Sequence, residues 1–192
     1  LPSTLLYMDC QGNRLTSLPA LPNRMTYLNC HYNQLTNLPV LPNVLQFLKC
    51  TSNNLTALPL LPNTLTTLYC EENKLISLPA LSSSLRDFNC RINNLTELPK
   101  LPNSLLYLTC TFNQLTTLPV LPNLLEDLYC DNNQLVSIPA LPSSLIALSC
   151  YNNKIEALPA LPNSLQHLAC SNNPLKCLPL LPINLSSLYV KN

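Results

Sequence analysis

The sequence predicts a parallel β-solenoid with one short strand per turn and extended, non-helical connections. Three observations predict it. An eleven-residue frame, L-x-x-L-x-C-x-x-N-x-L, seen in full from Leu125 to Leu135, returns every 20 residues without insertion or deletion. It starts at Leu5, Met25, Leu45, Leu65, Leu85, Leu105, Leu125, Leu145 and Leu165, and a truncated copy starts at Leu185. A fixed period of this kind marks short turns that cannot bury their apolar side alone and so stack on their neighbours. Within each repeat, apolar residues alternate with polar or aromatic ones. Finally, 18 of the 19 prolines fall in two columns.

Let each repeat run from position 1 to 20, with Leu1 to Ala20 as the first. Positions 5, 8 and 10 are apolar and 7, 9 and 11 are mostly polar or aromatic, the pattern of a short half-buried strand. Stacked repeats would align these strands about 4.8 Å apart in a parallel sheet. Position 13 is Asn in every complete repeat: Asn13, Asn33, Asn53, Asn73, Asn93, Asn113, Asn133, Asn153 and Asn173. An amide with two donors and a two-lone-pair acceptor, buried where the chain leaves the sheet, can pair backbone groups of two turns. The prolines stand at positions 2 and 19, with Ser82 replacing one and Pro174 lying outside the columns. Proline lacks a donor and biases its predecessor towards extended backbone, so the second half of each repeat reads as polyproline-II rather than helix. Gly12 is the one glycine, which leaves the turns to Asn and Ser.

The frame resembles the leucine-rich repeat, with Cys at its third leucine position. That resemblance implies a right-handed superhelix with the sheet on its concave side, and a structural ladder for the Asn column. The short L-P-x-L-P repeat is similar to a bacterial subclass found in type III secreted effectors, some joined to a ubiquitin-ligase domain, and in exported surface proteins. The variant from Asn172 to Pro179, N-N-P-L-x-C-L-P, leans towards the surface proteins.

A stacked array has no internal boundary, so residues 1–192 read as one array of nine complete repeats and a truncated tenth. Neither end carries a polar capping segment, which solenoids need for solubility. A longer chain, with flanking domains or a partner over the ends, is therefore expected. A formal charge of +1 gives no general attraction to nucleic acid or anionic lipid. No apolar run is long enough to span a membrane.

Nine of ten cysteines occupy position 10, and Val190 takes the place in the last copy. Neighbouring Cα atoms about 4.8 Å apart are within disulfide range. Parallel Cβ vectors pointing into the core favour reduced thiols over disulfides, and with no C-x-x-C pair a metal column is disfavoured too. Cys177 lies out of column, nearer the surface. His31 and His167 are seven turns apart, about 34 Å, too far to share a proton. Asp127 and Asp131 have too few oxygen neighbours for a calcium site. No enzyme activity, cofactor or metal is expected.

The aromatics carry the functional signal. All eight tyrosines fall at positions 7, 9, 11 or 12, with Phe47 and Phe112, while Phe88 takes a core position. One candidate patch is Tyr7, Tyr27 and Phe47, flanked by His31 and Tyr32, with Tyr69 beyond. The other is Tyr107, Phe112, Tyr129 and Tyr151, with Asp127 and Asp131 as a negative rim and Tyr129 and Tyr151 as one platform. Tyrosine suits strands in any case, but exposed ring clusters mark contact sites. The reading is a non-enzymatic module of an exported bacterial protein, secreted or on the cell surface, that binds a protein or glycan on its concave face. The alternatives are the substrate-recognition domain of a secreted ubiquitin ligase delivered into host cytoplasm, and a structural spacer without a ligand.

Overall fold

The computed structural model describes residues 1–191. Ten three-residue strands follow the alternating positions 7 to 9: β1 (Tyr7–Asp9), β2 (Tyr27–Asn29), β3 (Phe47–Lys49), β4 (Thr67–Tyr69), β5 (Asp87–Asn89), β6 (Tyr107–Thr109), β7 (Asp127–Tyr129), β8 (Ala147–Ser149), β9 (His167–Ala169) and β10 (Ser187–Tyr189). They form one parallel sheet in chain order. The register never slips, so Met8 pairs with Leu28 at one end and Leu188 with Leu168 at the other. A constant repeat length enforces this, because a one-residue slip would turn the apolar set outward. The sheet is the concave face, and the described residues contain no helix. In particular, none is long and apolar enough to cross a membrane.

The core lies between sheet and convex side as stacked columns. In the fifth turn Leu85, Phe88, Cys90 and Leu95 are all fully buried, and Leu98 and Leu101 seal the convex side. Each such leucine contributes about 1.5–3 kcal/mol of apolar burial. The outer turns bury less: Leu5, Met8 and Leu15 are half-buried and Leu188 and Val190 are exposed.

Proline at position 2 closes the turn that enters each strand. Its carbonyl accepts the N–H of position 5, from Leu5 to Pro2 at 3.1 Å through Leu185 to Pro182 at 3.1 Å. Ser82 keeps this bond with Leu85, and its hydroxyl donates to the Asn63 carbonyl at 3.0 Å.

The Asn column ties each turn to the one before. Asn93 Nδ2 donates to the carbonyls of Cys70 and Cys90 at 3.1 Å and of Arg91 at 3.3 Å, and its Oδ1 accepts the Leu75 N–H at 3.0 Å. The same set recurs from Asn33 (to Cys10, Cys30, His31 and Leu15) to Asn173 (to Cys150, Cys170, Ser171 and Ile155). Asn13 keeps only the bonds to its own turn, to Cys10 and Gln11.

Position 12 is left-handed in every complete repeat. Gly12 has φ 68°, and Ser52, Asn132, Asn152 and Asn172 lie between 51° and 54°. Tyr32, Glu72, Ile92 and Phe112 hold the same conformation, between 51° and 55°. The expected reliance on Asn and Ser is therefore only half the story. The cross-turn bonds, such as Tyr32 N–H to the Thr51 carbonyl at 3.0 Å, impose that conformation on side chains that disfavour it.

Candidate functional site

The in-register sheet turns position 7 into a column, and at its start Tyr7, Tyr27 and Phe47 are cross-strand partners. Their rings stack face to face, with centroids 4.1 and 4.4 Å apart and planes within 11° and 5°. Tyr69 meets Phe47 edge-on at 5.9 Å, and its hydroxyl donates to Asp87. Burial, then the Tyr7 hydroxyl and the Asp9 charge, pushes the Tyr27 phenol up to about 12. His31 and Tyr32 pack edge-to-face at 4.2 Å beside the column, and Tyr32 is exposed. The first patch is thus a continuous aromatic surface over four turns.

The second patch is differently built. Tyr107, Phe112 and Tyr129 are exposed and Asp127 and Tyr151 half-buried, but among the described residues none of these rings stacks on another. Tyr129 and Tyr151 do not form the expected platform. The register partner of Tyr129 is Ser149, and Tyr151 sits two residues further on, beyond the end of β8. Asp131 does not rim the patch either: it is 5% exposed and accepts the Ser149 hydroxyl at 2.5 Å and the Tyr151 N–H at 3.0 Å. Burial raises its carboxyl, against those two donors. Tyr107 donates to Glu126 at 3.0 Å, and the Arg91 guanidinium lies 5.6 Å from the Phe112 ring centroid.

Two features escaped the sequence reading. A pocket of about 150 Å³ lies between Tyr129 and Tyr189, with Ala147, Ser149, Ala169 and Ser187 as its low floor. The run of small residues at positions 7 and 9 was its signal. On the convex side, position 20 forms an exposed row that includes Val40, Leu60, Val120 and Leu180.

No protein-family model matches the chain, and no curated protein matches it. Solved structures do. YopM from Yersinia enterocolitica WA-314 superposes with a TM-score of 0.82 at 35% identity, over 99% of this chain and 47% of that one. The leucine-rich repeat domain of a Shigella effector matches with a TM-score of 0.68 at 36% identity, over 91% of this chain and 72% of that one. The chain belongs to the bacterial leucine-rich repeat proteins. A second YopM, a leucine-rich effector protein from Yersinia pestis, matches with a TM-score of 0.58 at 26% identity, over 100% of this chain and 79% of that one. This leucine-rich repeat chain spans about half the length of the Yersinia enterocolitica protein.

The cysteine column of this leucine-rich repeat array is chemically quiet. All ten cysteines are free, and those from Cys30 to Cys170 are fully buried. Burial pushes the Cys30 thiol up to about 12 and holds those of Cys50, Cys70 and Cys90 well above their ordinary range. Several thiols donate to the carbonyl one turn ahead, as Cys130 does to Ser149 at 3.3 Å. Cys177 is exposed. Among the described residues no three His, Cys, Asp or Glu side chains converge as metal ligands would. Cys30 and Cys170, the position-10 thiols of the two turns that carry His31 and His167, point into the core, so neither presents an exposed thiol to those histidines.

Proposed function

We propose that this chain is a non-enzymatic protein-binding module of an exported bacterial effector, and that it binds through the concave face centred on Tyr7, Tyr27 and Phe47. The ring column carries this reading. Three exposed or half-buried aromatic side chains stacked over consecutive strands form a rigid apolar surface at low entropic cost, the kind enriched in protein interfaces. The solved relatives described as effectors support the setting. A protein suits the column better than a glycan, because stacking covers both faces of Tyr27 and a sugar ring would need an open face. Tyr32 and Tyr69 extend the surface, and Tyr107, Phe112, Asp127, Tyr129 and Tyr151 form a second contact region.

The experiment is affinity capture from host-cell extract with the full array, followed by binding measurements on the captured protein. Tyr27→Ala with Phe47→Ala weakens binding by at least about thirtyfold, since even one central aromatic anchor contributes about 2 kcal/mol or more. Lys100→Ala with Lys154→Ala leaves it unchanged. Equal affinity in the aromatic double variant would refute the face.

A further inference from the structure

The parallel register sets two short rows side by side near the end of the concave face. At position 9 the cross-strand row runs Tyr129, Ser149, Ala169, Tyr189, and at position 7 it runs Asp127, Ala147, His167, Ser187. Two rings therefore stand three strands apart, with only a hydroxymethyl and a methyl group between them. The pocket of about 150 Å³ lies in that gap, lined by both tyrosines and by Ala147, Ala169 and His167. It is reached from solvent, since Tyr129 is 37% and Tyr189 65% exposed. The polar groups of its floor are already engaged, Ser149 with Asp131 at 2.5 Å and Ser187 with His167 Nδ1 at 2.9 Å. To a ligand the pocket is apolar below and aromatic at both ends.

The charge at its rim is one-sided. Asp127 shares a strand with Tyr129, is the register partner of Ala147, and is half-buried rather than closed off. Burial and then the Glu126 charge raise its carboxyl, His167 across Ala147 lowers it, and no hydrogen bond contributes. The one ion pair among the described residues joins Lys176 to Glu156, so Asp127 has no cation of its own. No Lys or Arg stands at positions 7, 9, 11 or 12 of turns six to nine. Lys191 follows Tyr189 but does not line the pocket.

We propose that this pocket receives a lysine side chain of the protein partner, its stem on the Ala147 and Ala169 floor and its ammonium against Asp127. The reading rests on the concave binding surface proposed above. Lysine buries its methylene stem along apolar surface while its charged head stays at the rim. A space of this size takes a benzene-sized group, which the five heavy atoms of the lysine side chain match. The ammonium gains the Asp127 carboxylate and the negative faces of Tyr129 and Tyr189. A neutral aliphatic or aromatic occupant would cover the floor but leave Asp127 unpaired, and an anion would meet Asp127 and Glu126.

The test is a titration of the full array with N-acetyl-lysine methylamide, followed by NMR shifts. The expected result is a saturable response centred on Tyr129, Ala147, Ala169 and Tyr189. The norleucine analogue, with the same stem and no charge, binds at least about fivefold more weakly, as loss of the charge-assisted contact requires. Asp127→Asn, which keeps the shape and whose folding its amide spectrum verifies, weakens the lysine response to the norleucine level. Lys100→Ala leaves it unchanged. Equal binding of norleucine, tighter binding of the phenylalanine or arginine analogue, shifts elsewhere, or an undiminished response in Asp127→Asn overturns the pocket's assignment. A missing lysine response alongside partner binding that still depends on Tyr27 and Phe47 refutes the lysine pocket alone. A lysine response that persists while partner binding ignores Tyr27 and Phe47 refutes the aromatic column and leaves the pocket standing.

Discussion

Asn93 Oδ1 accepts the backbone N–H of Leu75, eighteen residues earlier, while its Nδ2 donates to carbonyls on both turns. One buried amide therefore stitches the fourth turn to the fifth. Asn93→Ala should cost about 1–3 kcal/mol, because the Leu75 N–H and the Cys70 and Cys90 carbonyls lose their partner together. Denaturant unfolding beside Gln114→Ala, at an exposed position, checks this. A loss no larger than the control's would mean the column is dispensable.

The buried thiols predict alkaline unfolding. Burial raises the thiols from Cys30 to Cys150 above their ordinary range, Cys30 to about 12. Unfolded thiols ionise near pH 8.5–9 and folded ones do not. The stability they provide is therefore complete below that pH and is lost as pH rises towards the folded values. Each thiol takes away about 1.4 kcal/mol per pH unit in that window. Seven acting together remove about 10 kcal/mol per unit, comparable to the whole stability of a domain. Urea midpoints at pH 7, 9 and 10 should fall steeply, and less steeply in Cys90→Val. A flat profile up to pH 10.5 would contradict it.

Ile92 is a branched residue held at φ 51°. Ile92→Asn should stabilise the array by about 1 kcal/mol, since Asn tolerates the left-handed region where a branched side chain clashes with its own backbone. Thermal unfolding beside Ile92→Val, which keeps the branch and the strain, separates this from lost burial. Equal melting of the two variants would rule out strain as the cause.

Asp131→Asn should be more stable than the parent at pH 7. Burial lifts the Asp131 carboxyl above its ordinary range, so the folded state binds that proton more readily. The parent then gains stability as pH falls through the carboxylate range. The gap between the two should close with acidification, and a gap that does not change from pH 7 to pH 3 would show that the carboxylate is not the cause.

Much of the fold could be read directly from the residues. A 20-residue period with no insertions dictates the parallel register, because any slip would move every leucine of a strand out of the core. Two proline columns exclude helix by removing donors at fixed places, and the described residues contain none. The left-handed position 12 was only half visible. Gly12 and the asparagines announce it, whereas Tyr32, Ile92 and Phe112 adopt it because cross-turn hydrogen bonds outweigh their own preference.

The proposed binding face was less legible, for a different reason. Composition placed the aromatics on the concave side, but not which rings touch. Tyr7, Tyr27 and Phe47 share position 7 on adjacent strands, and strand geometry alone brings them together. Tyr129 and Tyr151 lie at different positions, and the two-residue offset between their places in the repeat carries the second beyond the strand. Asp131 and Glu71 occupy the same position and look alike in the repeat. Only the neighbouring turn tells them apart: Asp131 takes the Ser149 hydroxyl and the Tyr151 N–H, whereas the turn after Glu71 has Asn89 where Ser149 would stand. Periodicity settles what every turn has in common, because each turn needs the same burial and the same backbone pairing. What distinguishes one turn from the next depends on contacts between side chains twenty residues apart, and those exist only once the turns are stacked.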